Sequence, residues 1–407
     1  MCTASTTGAF TRSPAAMPPP AIAGSYPYLA LDKVHFGRPA AEVLAEEAEH
    51  RQARRIVVVA SRSLLRLGAI HAATRQIDHR MAGLFADCRE HTPRESVLAL
   101  ATQLRELDAD LVISIGGGTV IDTVKLALLC IAARITRVDE FDAWRVKMAD
   151  DGSRIVPAVP DPPLRQIAVP TTLSAAEFSD LAGCTDTASG QKHLYTGRHI
   201  GPAAVVLDPA MTVHTPERLW LSTGVRALDH AIESICSPGH QPLTDATCLH
   251  AIDMLAAALP ANRQKPVDLD GRLASQMGVW LAASGINRVD FGASHGIGHA
   301  LGGALGIPHG LTSCVLLPTV LAFNERACAD RQALIAKAFG RPGMRASTLV
   351  RELIASLGLP TRLRELVSDT SALDDIALKA LANPWVRSNP EPITQAGQVQ
   401  AILDAAW

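Results

Sequence analysis

The sequence lacks the cysteine patterns that mark disulfide-rich or zinc-binding proteins. Its eight cysteines are scattered, and no two of them form a Cys-x-x-Cys pair. This spacing argues against a zinc ribbon and against a disulfide framework, so we expect reduced thiols in a cytoplasmic protein. The cysteines are Cys2, Cys88, Cys130, Cys184, Cys236, Cys248, Cys314 and Cys328.

Strong charge and long apolar runs are also missing. The formal net charge is −2, charged residues make up 19% of the chain, and there is no basic run or aromatic-studded basic face. Nucleic acid and anionic membrane surfaces are therefore not expected as partners. No apolar run approaches the roughly 18 residues that cross a bilayer, so we expect no membrane partner.

What the chain does have is length and apolar content. Its 407 residues, of which 48% are hydrophobic, can bury a large core and should form two domains. The N-terminal segment is rich in Ala, Ser, Thr and Pro, and prolines interrupt its one apolar run, so no secretory signal is expected. We predict a disordered tail over 1–27, an α/β domain over 28–207 and a helical domain over 208–407.

Alternating strands and helices are the basis of the α/β prediction. Uninterrupted β-branched runs are typical of strands buried on both faces of a parallel sheet, and helix-spaced apolar residues separate them here. The expected strands are 55–60, 81–85, 111–115, 167–169 and 204–207, and the expected helices are 64–77, 96–107 and one that ends near 132. After Asp208, β-rich runs almost disappear and amphipathic segments extend from Pro216 to Trp407, which predicts an all-helical second domain.

A triple glycine, Gly116 to Gly118, lies between an expected strand and an expected helix. A glycine turn that opens a helix presents bare backbone N–H groups and a helix dipole to an anion, so we predict a phosphate cradle. Thr119 and Asp122 have the spacing of a capping box and should define the helix start. In the alternative interpretation, the glycines permit a tight turn and Asp122 is a simple cap.

Three histidines lie close together in the C-terminal half. A helix would place His295 and His299 on one face, and Pro308 would end that helix so that His309 can fold back toward them. One His-x-x-x-His pair arises easily by chance in a chain with 14 histidines. The third histidine and the surrounding glycines favour a functional site over structural histidines.

These motifs, taken in order, resemble those of the iron-containing (group III) alcohol dehydrogenase family over residues 29–407. The shortened segment from Pro170 to Glu177 is similar to that of the maleylacetate reductase branch. The resemblance implies a Rossmann-like dinucleotide-binding domain, a helical domain of dehydroquinate synthase-like architecture, and NAD(P)H-dependent hydride transfer in the cleft between them. We also expect a homodimer. The motifs are Gly116–Lys125, Pro170–Glu177, Leu207–Pro209, His230–Glu233 and the three-histidine stretch.

The resemblance also implies candidate cofactor-binding residues. Many NAD-preferring family members carry an aspartate after the first strand, where its charge disfavours the 2′-phosphate of NADP. Ser61 stands at that place and Arg62 could pair with the phosphate, so we expect NADPH to be used at least comparably to NADH. Alternatively, Arg62 points to solvent and both cofactors are accepted. The candidates are Ser61, Arg62, Gly116, Gly117, Gly118, Thr119, Asp122, Thr171, Thr172, Ser174 and Lys192.

The sequence departs from the family pattern at the metal site. Metal-dependent members hold a divalent ion with three histidines, which map to His230, His295 and His309, and with an aspartate four residues before the first. Arg226 occupies that position, and an arginine stays protonated and cannot ligate. At about 4 Å and an effective dielectric near 20, its charge opposes a divalent ion by roughly 8 kcal/mol. Asp229 would point about 100° away from His230 on a helix, so we expect no substitute ligand and no metal.

We therefore expect metal-independent reduction of a carbonyl or enone in an anionic, carboxylate-bearing substrate, as in maleylacetate reductase. Arg226 would stabilise an alkoxide or clamp a carboxylate, and a histidine would give the proton. Alternatively, Arg226 forms a surface salt bridge with Asp229 or Glu233, and Glu233 is expected to be an intrahelical ion-pair partner. Three functions stay open beside this one: a metal-dependent alcohol dehydrogenase, a dehydroquinate synthase-like lyase and a non-catalytic binding protein. The expected catalytic residues are Arg226, His230, His295, His299 and His309.

Overall fold

The computed structural model describes residues 24–149 and 154–407, and its N-terminal part is built on a parallel sheet. The strands are β1 (Lys33–Phe36), β2 (Ile56–Ala60), β3 (Met81–Phe85), β4 (Leu111–Gly116), β5 (Lys147–Met148), β6 (Arg154–Ile155), β7 (Arg165–Pro170), β8 (Leu181–Asp186), β9 (Gln191–Thr196) and β10 (Ala204–Leu207). Six of them form one sheet in the order β1-β10-β7-β4-β2-β3, with every pairing parallel. The predicted tail falls largely on residues 1–23, which lie outside the described residues.

Helices cover both faces of this sheet, which confirms the predicted α/β class. The covering helices are α1 (Ala40–His50), α2 (Arg62–Arg66), α3 (Ala69–Thr74), α4 (Arg94–Glu106) and α5 (Gly118–Ala132). Because α1 and α3 pack on one face and α4 and α5 on the other, every residue of β2, β4 and β10 is buried. The single helix predicted over 64–77 is wrong: Gly68 adopts a φ of 72° and separates α2 from α3.

Several strands gave no signal in the sequence. Strand β1 lies at the edge of the sheet beside β10, and its residues are half-buried or exposed, so its sequence lacks a continuous apolar run. Strands β8 and β9 form an antiparallel hairpin outside the main sheet, and their mixed polar sequences hide them in the same way. The predicted parallel-sheet pattern finds the strands that are buried on both faces, and it also found β3, most of whose residues are half-buried.

Residues 208–407 are entirely described and contain helices and turns without a strand, as predicted. The helices are α6 (Glu217–Cys236), α7 (Pro242–Gln264), α8 (Leu269–Ala282), α9 (Ala293–Leu305), α10 (His309–Phe323), α11 (Ala329–Ala338), α12 (Ala346–Ser356), α13 (Leu373–Leu381), α14 (Pro384–Arg387) and α15 (Ala396–Ala406). A single cluster of buried apolar side chains runs through them. No helix among the described residues is both long and apolar enough to cross a bilayer.

The helical region meets the sheet at the carboxyl ends of β4 and β7. In the loop after β7, the amide of Thr171 donates to the carbonyl of Gly116 at 3.0 Å. The hydroxyl of Thr215 donates to the carbonyl of Thr171 at 2.6 Å, and the amide of Leu173 donates to the hydroxyl of Thr223 on α6 at 3.1 Å. In open parallel sheets ligands bind outside this edge, so the cleft between the two parts is the expected site.

Candidate active site

The glycine turn after β4 packs directly against the loop that follows β7. A Cβ atom on Gly117 would lie 2.9 Å from Cγ2 of Thr172, and one on Gly118 would lie 2.9 Å from Oγ of Ser174. Helix α5 begins at Gly118, and the first amides of a helix have no partner within it. The missing side chains thus let the loop flank a bare helix N-terminus, and this arrangement fits the pyrophosphate of a dinucleotide.

The predicted capping box at this turn is wrong. Gly117 precedes the helix, and no side chain caps α5. Thr119 lies within the first turn, where its carbonyl accepts a hydrogen bond from the hydroxyl of Thr123 at 2.7 Å. Asp122 forms an ion pair with Lys125 at 3.1 Å instead of capping the helix. The helix amides therefore stay available to a ligand.

Lys192 reaches the same cleft from strand β9. A Cβ atom on Gly183 of β8 would collide with Cε of Lys192, so the lysine side chain crosses the hairpin at this glycine. Its side chain keeps contact with solvent. Burial by the surrounding protein nevertheless lowers the pKa of its ammonium group, Asp122 opposes this effect, and Arg226 adds to it. The charges of Asp122 on α5 and of Arg226 on α6 thus both act on Lys192.

Ser61 and Arg62 follow β2 at the same edge of the sheet. Ser61 caps α2, and its hydroxyl accepts a hydrogen bond from the amide of Leu64 at 3.4 Å. The side chain of Arg62 is 65% exposed and forms an ion pair with Asp87. Asp87 also contacts Arg89 at 2.9 Å. The two arginines and one carboxylate leave a net positive charge where an adenosine 2′-phosphate is expected.

Three helices of the C-terminal region bring the expected catalytic side chains together. Arg226 and His230 lie on α6, His295 and His299 lie on α9, and His309 is the first residue of α10. The ring centroids of His230 and His295 are 4.9 Å apart, and those of His299 and His309 are 5.3 Å apart. The predicted helix stop at Pro308 is wrong: α9 ends at Leu305, where Gly306 adopts a φ of 66°. Pro308 instead precedes α10, and His309 meets His299 as expected.

Two aromatic rings that the sequence analysis missed pack against these histidines. Phe291 stacks on His230 at a centroid distance of 5.5 Å and lies 4.2 Å from His295. Trp385 lies 4.9 Å from His299 and 5.9 Å from His295. Both aromatic side chains are buried, so they exclude water from this side of the histidine cluster. No local motif marks either residue, because their roles depend on contacts between distant parts of the chain.

The histidines are held in their neutral form. Burial lowers the pKa of His230, His295, His299 and His309 well below its usual range, and the positive charge of Arg226 adds to the effect at each ring. Within the described residues, no hydrogen-bond partner is found for Nδ1 of His230, Nε2 of His295 or Nδ1 of His309. These nitrogens are therefore free to meet a ligand.

Glu233 was expected to be an intrahelical ion-pair partner, and that expectation is wrong. Its carboxylate accepts hydrogen bonds from the amides of Gly292 and Ser294, both at 2.9 Å, and from the amide of His295 at 3.3 Å. It also lies 2.7 Å from Nδ1 of His295. Burial raises the pKa of Glu233, and the three amides oppose the rise. Glu233 thus caps α9 and orients the ring of His295, with the imidazole proton at Nδ1.

Arg226 pairs with Asp229, as the alternative interpretation expected, but the pair is buried and does not lie on the surface. Nη1 of Arg226 lies 3.6 Å from Oδ2 of Asp229, whose side chain is fully buried. The hydroxyls of Ser294 and Ser313 donate to the same oxygen at 2.8 and 2.6 Å. Burial raises the pKa of Asp229 to about 7, Glu233 contributes to the rise, and Arg226 and the two hydroxyls oppose it.

A divalent ion fits these residues poorly. The histidine nitrogens without a partner could ligate one, but those of His230, His295 and His309 do not form a group of donor atoms within 4.8 Å of one another. Arg226 stays charged at the sequence position where the family resemblance implies the acidic ligand. Donor atoms of Asp229, Glu233 and His295 lie within 4.8 Å of one another. However, the amides of α9 already engage Glu233, and two hydroxyls engage Asp229. Oδ1 of Asp229, which lies 3.6 Å from Nδ1 of His295, has no hydrogen-bond partner among the described residues, so the set is only partly satisfied and the charge of Arg226 is the main obstacle to an ion.

Comparison with known proteins defines the class of the protein. Residues 32–209 match the family described as iron-containing alcohol dehydrogenase, and residues 220–407 match the Fe-containing alcohol dehydrogenase family, C-terminal. The protein is an enzyme, and its class is oxidoreductase. More particularly, the chain belongs to the iron-containing alcohol dehydrogenase family, as its motifs predicted.

Two relatives and one solved structure illustrate the similarity. Dehydrogenase FUM7 of Gibberella moniliformis is 31% identical, over 92% of this chain and 96% of its own. Maleylacetate reductase of Sphingobium indicum is 28% identical, over 92% of this chain and 95% of its own. The crystal structure of maleylacetate reductase from Agrobacterium tumefaciens superposes with a TM-score of 0.79 at 27% identity, covering 95% of this chain and 99% of that one.

Proposed function

We propose that the protein is an NAD(P)H-dependent reductase that needs no metal and acts on a carbonyl or enone in a carboxylate-bearing substrate. The observation that carries the proposal is the buried guanidinium of Arg226, which stands at the position of the acidic metal ligand. Maleylacetate reductases among the relatives support this branch of the family.

Different groups of the protein bind the nucleotide and polarise the substrate oxygen. The amides at the start of α5, with Thr172 and Ser174 beside them, bind the pyrophosphate of the nucleotide. Bound NAD(P)H supplies a hydride. Arg226 faces the negative charge that develops on the substrate oxygen, since a preorganised cation in a water-poor site stabilises an alkoxide or enolate. This is the role that a metal performs elsewhere as a Lewis acid.

A histidine of the cluster supplies the proton that completes the reduction. Because burial lowers the pKa of these histidines, an imidazolium formed in the cluster gives up its proton readily to an alkoxide. His299 and His309 suit this step better than the buried His295, whose proton is held at Nδ1 by Glu233, because both are half-buried and can take up from solvent the proton that they deliver. The neutral ring then regains a proton from solvent.

The charges that face the cleft favour an anionic substrate. Arg226 is buried, and Lys192 lies near enough for the arginine to lower the pKa of its ammonium group. Two cations that repel each other in a recess are stabilised by an anion placed between them. A carboxylate on the substrate meets this requirement, and a bidentate contact with the guanidinium would also fix its orientation.

The test compares Arg226→Ala with Arg137→Ala, which removes an exposed arginine that pairs with Asp139 at 2.9 Å. With NADPH, Arg226→Ala should raise the KM of a carboxylated enone roughly tenfold or more relative to the KM of a neutral aldehyde, because a hydrogen bond to a charged group contributes about 1.5–3 kcal/mol. Arg137→Ala should change neither KM. Equal effects of Arg226→Ala on both substrates, or a best substrate without an acid group, would contradict the proposal.

A metal-dependent alcohol dehydrogenase is the second candidate function. The unpartnered nitrogens of His230, His295 and His309 favour it, since they lie at the family's ligand positions. Under this alternative, purified enzyme would carry about one ion per chain and lose turnover on treatment with EDTA. Under the first proposal, EDTA leaves turnover unchanged.

A further inference from the structure

Asp229 is a buried carboxylate that the chemistry above does not use. It lies one helical turn after Arg226 on α6, so both side chains share a face of the helix. The Arg226 side chain keeps 10% of its surface exposed and the Asp229 side chain none. A buried guanidinium without an anion is strongly unfavourable, so the enzyme without substrate needs a counter-charge for Arg226. Asp229 supplies it, because Glu233 is occupied at the start of α9.

The contact between the two charges is bridged by a serine. The separation of 3.6 Å between Nη1 of Arg226 and Oδ2 of Asp229 is too long for a hydrogen bond. Nη1 instead donates to Oγ of Ser313 at 3.1 Å, and that hydroxyl donates to Oδ2 of Asp229 at 2.6 Å. A serine hydroxyl has one proton, so giving it to Asp229 turns the oxygen lone pairs toward Arg226.

We propose that Asp229 is a positioning residue, which holds Arg226 in its substrate-binding orientation through Ser313. This inference rests on the proposed function of Arg226. Nη1 is used in the bridge, whereas Nε and Nη2 make no hydrogen bond to the described part of the chain and are left for the substrate. An arginine side chain held at one nitrogen loses rotamer freedom before the substrate arrives, so less is lost on binding.

Two serine-to-alanine variants test whether Ser313 acts by bridging Arg226 and Asp229 or only by donating a hydrogen bond to the carboxylate. Ser313→Ala removes a hydroxyl that bonds both Arg226 and Asp229, whereas Ser294→Ala removes one that bonds Asp229 and not Arg226. For a carboxylated enone, Ser313→Ala should lower kcat/KM by about tenfold and Ser294→Ala by less than about threefold. Equal losses, or a larger loss in Ser294→Ala, would overturn the proposal.

A double-mutant cycle shows whether Asp229 acts through Arg226. Asp229→Asn keeps the shape of the side chain and removes its charge, and alone it should lower kcat/KM by about tenfold or more. In the Arg226→Met background, Asp229→Asn should cause no further loss, because the residue it positions is gone. Losses that multiply in the double variant would show an independent or purely structural role and overturn the inference.

Succinate binding to the enzyme saturated with NADP⁺, measured by calorimetry, gives a readout without turnover. Arg226→Met and Asp229→Asn should each raise the Kd of succinate by about tenfold, and the double variant should bind succinate no more weakly than Arg226→Met does. If wild-type enzyme binds no succinate and reduces no carboxylated carbonyl, the proposed function fails and the positioning role fails with it. If Arg226→Met weakens succinate and Asp229→Asn does not, the positioning role alone is wrong.

Discussion

Replacing Arg226 with aspartate should turn a site that opposes metal into one that binds it. At about 4 Å and an effective dielectric near 20, the guanidinium opposes a divalent ion by roughly 8 kcal/mol, and a carboxylate there attracts it by a similar amount. The difference of roughly 16 kcal/mol in interaction energy with the ion is an upper bound, because dehydrating the ion and the new carboxylate offsets much of it. Even a quarter of it, about 4 kcal/mol, raises metal affinity roughly a thousandfold.

The surrounding residues supply further donor atoms for the new site, of which those of Asp229, Glu233 and His295 already lie within 4.8 Å of one another. His230, His295 and His309 each offer a nitrogen without a partner among the described residues. Arg226→Asp also leaves the new carboxylate one turn from the buried Asp229, and a bound cation relieves the repulsion between them. The variant should therefore be destabilised when free of metal and gain thermal stability when Zn²⁺ is added.

The assay is metal analysis by mass spectrometry after dialysis against Zn²⁺ or Fe²⁺, with melting temperatures measured with and without EDTA. Wild-type protein should hold far less than one ion per chain and Arg226→Asp close to one. Arg226→Asn, which removes the positive charge without adding a negative one, should fall between them. A wild-type protein with stoichiometric metal and EDTA-sensitive turnover, or a variant that binds no more metal than wild type, would refute the reasoning.

Three further predictions concern the nucleotide site and pH. Ser61→Asp should weaken the binding of NADPH by roughly 1–3 kcal/mol and leave the Kd of NADH nearly unchanged, since the new carboxylate repels the 2′-phosphate. A wild-type enzyme that prefers NADH about a hundredfold would contradict the premise. Gly118→Ala should weaken both nucleotides, because its Cβ would lie 2.9 Å from Ser174, whereas a Cβ on Gly303 meets nothing within 4 Å and Gly303→Ala is the control. Burial raises the pKa of Glu177 from 4.5 to about 7, so the folded state holds a proton that the unfolded state releases. Stability from this group is present at low pH and falls as pH rises toward 7. Between about pH 5 and about pH 8, the free energy of urea unfolding should fall by about 2.5 kcal/mol more in wild type than in Glu177→Gln, and equal losses would place Glu177 in a wetter environment.

The fold was predictable where a strand is buried on both faces, because such a strand has a continuous apolar run in the sequence. The β-branched run of β2 and the run of β4 are buried on both faces, and both were found with correct type and nearly correct bounds. Strand β1 and the β8–β9 hairpin are partly exposed and carry polar residues, so their sequences have neither a continuous apolar run nor a clean alternation. Gly68 broke a predicted helix because it adopts a φ of 72°, a conformation that glycine takes without steric cost and that the periodicity of apolar residues does not reveal.

Local motifs located the candidate site but not its internal contacts. Arg226 and the histidines were named from their spacing, and three helices bring them together. The capping of α9 by Glu233 joins residues about sixty positions apart, and Trp385 reaches His299 from still farther along the chain. Such contacts depend on how helices pack, and one sequence carries no periodic signal for them. Only the one-turn spacing of Arg226 and Asp229 was a readable signal for their pairing.

Two requirements explain why Asp229 accompanies Arg226. The site needs a positive charge, and that charge must be held in one place. A divalent ion together with its aspartate ligand carries a net charge of about +1, and a lone arginine carries the same. Exchanging one for the other thus preserves the positive charge available to an alkoxide. A metal ion is held at one point by several ligands, however, whereas a guanidinium lies at the end of a flexible side chain. The bridge through Ser313 to Asp229 supplies the missing fixation. A carboxylate fixed farther from the substrate than the guanidinium orients the cation while leaving most of its field directed at the reacting oxygen.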